Sequence, residues 1–187
     1  MFRKSEEREF SAHHMLLHAA ELEITAAEAH ETGRFNKCLA AMAMTALAVE
    51  ALLNAVGKRV VTDWPGFERL RPYEKLDVLV EQLSLVRGEA KEPWTTLGFL
   101  GSFRNDIAHP KPEPIASVRI LPEVGLARTS FDRPLSALEK VITVGNARQA
   151  YCAVHALKGL LTDGLPSEKR FGIYVDAWSG TTSKHEP

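Results

Sequence analysis

The chain predicts an all-α fold: an up-and-down helical bundle of four to five main helices, with a short extended or β-hairpin insertion around residues 115–130. Three observations carry that class. Apolar residues recur at alternating three and four spacing, most clearly at Leu39, Met42, Ala46, Val49, Leu53 and Val56. Glycines and prolines fall where such stretches stop and start, at Gly33, Gly57, Pro72, Pro93 and Pro110. A length of 187 residues, 45% hydrophobic and 25% charged, suffices for one domain with its own core.

A first helix is expected over about residues 5–32, closed by Gly33 as its C-terminal cap, with an apolar seam through Phe10, Leu17, Ala20, Ile24 and Ala27. The second, about 35–57, has the repeat of a bundle helix packed at a shallow angle, and Gly57 can end it. A loop with Asp63, Trp64, Pro65 and Gly66 leads to a third helix that opens at Pro72, with the stripe Leu76, Leu79, Val80, Leu83 and Val86. The fourth begins near Pro93 and carries Leu97, Leu100, Phe103 and Ile107. Residues 110–134 contain five prolines and the β-friendly run Ser117 to Leu121, followed by Pro122-Glu123-Val124-Gly125, a credible turn for a hairpin or flap. A short helix around Leu135 to Val141 then precedes one from about Asn146 to Thr162, with Ala150, Val154, Leu157 and Leu161 inward. Residues Phe171 to Trp178 read as ordered, so the domain is placed at 1–178 and residues 179–187 as a frayed tail.

Charge and composition bound the partners. The run Met1 to Glu7 opens into charge rather than an apolar signal core, and no run of eighteen apolar residues occurs, so no membrane insertion is expected and the cytoplasm is the default location. Cys38 and Cys152 sit in apolar helical patterns and are expected as buried, reduced thiols. A net charge of −1 lacks the basic excess of a promiscuous nucleic-acid binder. Any RNA contact must then be local, built from a patch such as Lys58, Arg59, Arg104 and Lys111.

The densest chemistry lies in Arg104-Asn105-Asp106-Ile107-Ala108-His109, followed at once by Pro110. Arginine presents a rigid fork of donors matched to phosphate oxygens, and histidine exchanges a proton near neutrality. On a straight helix, five residues turn two side chains about 140° apart. Pro110 biases its predecessor away from helical dihedrals, which ends the helix near Ala108 or His109 and lets the imidazole swing back toward Arg104. An ordinary helix terminus accounts for the same residues, with Arg104 in a surface salt bridge and His109 complementing the C-terminal dipole.

Glu50 stands among Ala46, Leu47, Val49 and Leu53, where a carboxylate requires a cation or several donors. Arg104 is its candidate partner, with Asn54 one turn away adding a hydrogen bond; alternatively Glu50 flanks the seam and reaches water. His14, His18 and Glu21 share a helix face but read as a polar stripe, and no metal or cofactor is assigned. Gly98 and Gly101 either admit another helix beside the motif or loosen the helix that bears it. No P-loop, dinucleotide fingerprint or nucleophile elbow competes.

The string Phe103 to Pro110, F-R-N-D-I-A-H-P, resembles the signature of the HEPN superfamily, in which an arginine, a polar residue just after it and a histidine after about four to six intervening residues are carried by an all-helical domain. The helix M-T-A-L-A-V-E-A-L-L-N, Met44 to Asn54, is similar to the acidic-residue-bearing core helix of those domains. The resemblance spans about residues 5–165. It implies catalytic Arg104, Asn105 and His109, supported by Glu50, Asn54 and Asp106, and a homodimer that pairs two motifs across a two-fold axis. It also implies metal-independent cleavage of single-stranded RNA, in a toxin or defence setting with an antitoxin or nucleotidyltransferase as partner. A non-catalytic helical interaction or nucleotide-sensing module is the alternative.

Overall fold

Residues 2–88, 91–116, 134–174 and 177–184 are described by a computed structural model, with residues 2–9 and 177–184 described as backbone alone. Among the described residues the fold is all-α apart from one two-stranded ribbon. Its elements are β1 (Phe2–Glu9), α1 (Ala12–Ala29), α2 (Arg34–Val60), α3 (Trp64–Phe67), α4 (Pro72–Gln82), α5 (Trp94–Ala108), α6 (Ala137–Val141), α7 (Val144–Gly164) and β2 (Ala177–Lys184).

On α1, His13, Leu17, Ala20, Ile24 and Ala27 are buried, a succession of three and four spacings that makes one face. Gly33, at φ 69°, takes the left-handed conformation that an L side chain resists, and turns the chain so that α2 lies along α1. The 27 residues of α2 form the central helix, against which α1, α4, α5 and α7 pack. One core gathers Leu52, Leu53, Val56, Leu76, Leu79, Leu97, Leu100, Val154, Leu157 and Leu161. A second, smaller one joins Ile24, Cys38, Ala41, Met42, Phe103, Ile142 and Ala147. An 18-residue window of α2 has a mean hydropathy of 1.8, enough by length and composition to cross a membrane, although α2 itself carries charged residues. Half of that window is buried inside the fold, as for a helix packed on several others.

Several expectations need correction. The first helix starts at Ala12 rather than near residue 5, because residues 2–9 offer no apolar seam and instead pair antiparallel with residues 177–184, Phe2 opposite Lys184 and Glu9 opposite Ala177. Residues 179–184, read as tail, therefore belong to a strand, whose Trp178, Thr181 and Thr182 suit extended structure. Phe10 is 59% exposed, and His13 takes the inward position that the seam assigned to it. Gly57 does not end α2: a Cβ there would lie 2.4 Å from the Trp64 ring, so this position lets α3 close onto the helix. Trp64, expected in a loop, is buried. Val86 is 91% exposed, since α4 stops at Gln82 and Ser84 breaks the stripe at φ 51°. Cys152 is exposed, whereas Cys38 is buried and its thiol is pushed up by that burial. The insertion expected around 115–130 lies almost wholly outside the described residues.

Between α1 and α7, Arg148 donates from Nε to Glu28 Oε1 (3.0 Å) and from Nη2 to Glu28 Oε2 (2.7 Å), the fork-on-carboxylate geometry that holds Glu28 below its ordinary pKa. One turn further on, burial and the nearby Glu21 charge push the Tyr151 phenol up to about 12.

Candidate functional site

The motif stands where the sequence places a helix end. Helix α5 stops at Ala108, and His109, its C-cap, leaves helical dihedrals at φ −132° and ψ 53° while its N–H still donates to the Asn105 carbonyl (2.9 Å). Pro110 supplies the cause, since its ring disfavours helical backbone in the preceding residue. Arg104 is half-buried, and Asn105, Asp106 and His109 are exposed. Arg104, Asn105 and His109 line one cavity of about 460 Å³ between the N-terminal turn of α4 and the C-terminal half of α5. Ala46 and Val49 of α2, with Leu76, Leu97 and Leu100, form its apolar wall. Asp106 is not on that cavity. It lines a neighbouring one of about 600 Å³ with Lys111, Glu113, Ser136 and Glu139, and His109 borders both.

Glu50 lies behind Arg104, with Oε2 3.6 Å from Arg104 Nη2. It also meets a residue the sequence reading left out: Lys75 of α4, whose side chain is 1% exposed, donates from Nζ to Glu50 Oε1 (3.2 Å) and to Asn54 Oδ1 (2.9 Å). The hydrogen bond expected of Asn54 is thus one that its Oδ1 accepts from Lys75. A lysine buried this deeply requires a carboxylate and further acceptors, and it has both. A signal was present in the sequence, because Lys75 sits one turn before Leu79 on the α4 stripe, a second charge within an apolar pattern opposite in sign to Glu50.

Tyr73 closes one end of the cavity. Its hydroxyl donates to the Gly98 carbonyl (2.9 Å) and contacts the Leu97 carbonyl, and burial raises its phenol pKa. A Cβ on Gly101 would fall 2.2 Å from the Tyr73 ring, so the small residue there admits a side chain of the same chain. At Gly98 an added Cβ meets nothing within 4 Å. Arg71 completes the lining, exposed at the start of α4.

The basic patch drawn from the sequence is not assembled as drawn. Arg59 donates to the Lys169 carbonyl (2.9 Å) and contacts the Phe171 carbonyl, tying α2 to the segment after α7. Arg71 is the cation that shares the cavity with Arg104. Two first-helix histidines, His13 and His14, are likewise engaged with backbone. His13 Nε2 donates to the Ile173 carbonyl (3.2 Å) and His14 Nε2 to that of Gly172 (3.3 Å), and since a carbonyl only accepts, both rings carry the proton on Nε2.

Chemically, the cavity offers a guanidinium backed by a carboxylate, an amide and an imidazole on a wet rim, and an apolar wall. Comparison of the chain with protein-family models, curated proteins and solved structures finds no match.

Proposed function

We propose that the protein is a metal-independent endoribonuclease of HEPN type, built on an up-and-down bundle and acting as a homodimer in the cytoplasm. The observation that carries this reading is that Arg104, Asn105 and His109 border a single cavity, although five helical residues alone would turn the first and last apart. In the proposed reaction the ribose 2′-oxygen attacks the adjacent phosphorus, the bond from phosphorus to the 5′-oxygen breaks, and a 2′,3′-cyclic phosphate remains. His109 takes the 2′-hydroxyl proton or gives one to the leaving 5′-oxygen, and the His109 of a second copy performs the other transfer. Arg104 stabilises the added charge on the phosphoryl oxygens, and Asn105 orients the phosphate or the imidazole. A toxin or defence setting, with an antitoxin or nucleotidyltransferase partner, follows from the resemblance of the motif. The net charge of −1 favours the alternative, a non-catalytic interaction or nucleotide-sensing module.

The test is cleavage of single-stranded RNA in EDTA, with analysis of the ends. The wild type should leave 2′,3′-cyclic phosphate, and His109→Ala and Arg104→Ala should each reduce the rate at least about a hundredfold while retaining the fold. Arg104→Lys should rescue poorly, because an ammonium lacks the planar fork. An inert wild type on structured and unstructured RNAs alike would give the alternative its place.

A further inference from the structure

Glu50 has one negative charge and faces two cations. Lys75 is buried, so Glu50 and Asn54 are what its ammonium has in place of water, whereas the Arg104 side chain is 37% exposed and reaches the cavity. The carboxylate is therefore claimed by Lys75, and the charge of Arg104 enters the cavity without full compensation. Arg71 opens onto the same cavity, is exposed, and has no ionic partner among the described residues. Among the described residues no carboxylate lines that space. Two guanidiniums thus face a cavity whose wall of Val49, Leu76, Leu97 and Leu100 is apolar, in a chain of net charge −1. A local positive field beside an apolar surface, within a space of about 460 Å³, fits a small ligand with an anionic end and a flat hydrophobic one.

We propose that Arg71 is a second phosphate-contacting residue and that Lys75 is a positioning residue, which holds Glu50 and keeps the Arg104 charge available to a nucleoside phosphate whose base lies on the apolar wall. This deepens the nuclease reading of the same site and rests on it for the role of Arg104. The ligand is either a free mononucleotide or one unit of an unpaired strand. Arg71 acts by direct contact, Lys75 through Glu50.

The experiment measures binding without chemistry, using the full chain and a fluorescent 2′-O-methyl decauridylate, which has no free 2′-hydroxyl to attack. Unlabelled uridine 3′-monophosphate and uridine serve as competitors. Arg71→Gln, at an exposed position, should fold normally and weaken decamer binding about tenfold or more at low salt. It should also make the plot of log affinity against log salt shallower by about 0.7, the loss of one phosphate on a single strand. Lys75→Met should weaken binding comparably although the residue lies out of ligand reach, because Glu50 then neutralises Arg104. Glu50→Gln with Lys75→Met together should restore binding to within a few fold, because the cavity regains its charge, a rescue that a merely structural lysine would not show.

An Arg71→Gln protein with unchanged affinity and salt slope overturns the role of Arg71. A double variant as weak as Lys75→Met alone, with helical circular dichroism intact, overturns that of Lys75. Uridine competing as well as its monophosphate overturns the phosphate assignment. Competition by the monophosphate at the strength of the decamer identifies a free nucleotide, and weaker competition identifies the strand. The two readings separate cleanly: binding that depends on Arg71 without cleavage of ordinary RNA removes the nuclease alone, while full-rate cleavage and undiminished binding by Arg71→Gln remove this inference alone.

Discussion

Replacing Glu50 with glutamine tests which cation the carboxylate serves. Removing one member of a fully buried ion pair costs about 3–5 kcal/mol, and an exposed pair is worth about 0–1 kcal/mol. Glu50 lies between these limits. Its side chain is 31% exposed while that of Lys75 is 1% exposed, and after the substitution Lys75 keeps the 2.9 Å bond to Asn54 Oδ1 and a neutral amide acceptor. Discounting the buried figure for water at Glu50 gives about 2 kcal/mol for Glu50→Gln. The Arg104 pair is weaker: the separation is 3.6 Å and the two side chains are 37% and 31% exposed, so Arg104→Ala should cost less than about 1 kcal/mol. Glu50→Gln combined with Lys75→Met removes both charges and should cost less than Glu50→Gln alone. Urea denaturation at pH 7, followed by circular dichroism at 222 nm, gives all three values from midpoint and slope. Arg104→Ala as costly as Glu50→Gln, or Glu50→Gln within about 0.5 kcal/mol of wild type, would refute the assignment of the carboxylate to Lys75.

Gly57→Ala should destabilise by about 1–3 kcal/mol, because its methyl must displace the Trp64 ring. Gly98→Ala, inside α5 with open space at the added carbon, should instead stabilise by about 0.5–1 kcal/mol; equal effects at the two glycines would contradict the packing at Trp64. His155 provides a pH test. Burial against Tyr151, with rings 4.4 Å apart, and the charge of Lys158 lower its pKa in the fold, so the unfolded chain takes up the proton first as pH falls. This contribution is absent above the ordinary histidine range and becomes a progressive loss of stability from about pH 7 down through the lowered pKa, small because solvent also reaches the ring. His155→Gln should flatten the urea midpoint between pH 7 and pH 5, and an unchanged slope there would count against the shift. The Glu28 carboxylate, held low by Arg148, adds stability at neutral pH that disappears as pH falls below about 4.5, so Arg148→Met should narrow the gap between midpoints at pH 6 and pH 3.5.

How far the sequence carried depended on whether the governing physics was local. The repeat of α2 and the helices α5 and α7 were legible because their signals lie within one segment: Ala150, Val154, Leu157 and Leu161 are all buried, and Pro110 ends α5 within a residue of the expected place. The extent of α1 was misread because pairing of residues 2–9 with 177–184 links opposite ends of the chain, and nothing near residue 5 announces a partner so far away. Gly57 failed for a related reason. A glycine that admits a tryptophan and a glycine that ends a helix are the same letter, and only the position of Trp64 distinguishes them. Within the site, Arg104 and His109 were visible as a motif, and Glu50 as a charge out of place. Lys75 showed only as a second charge within the α4 stripe, and Arg71 not at all, since each acquires its meaning from which helix α4 meets.

The Glu50 and Lys75 pair also bears on why the cavity is cationic. If α4 needed only to be anchored to α2, an apolar residue at position 75 beside Leu76 and Leu79 would do so at least as well, since a buried ion pair rarely outperforms well-packed hydrocarbon. What the pair supplies and hydrocarbon cannot is a carboxylate fixed by one cation while it touches another. Glu50 holds the Arg104 fork from behind at 3.6 Å, yet its charge is spent on Lys75 at 3.2 Å, so position and charge are controlled separately. A lone Glu50 would orient Arg104 and neutralise it; no Glu50 would leave it charged and loose. The three residues together give a guanidinium that is both placed and available, which is the condition an incoming phosphate requires.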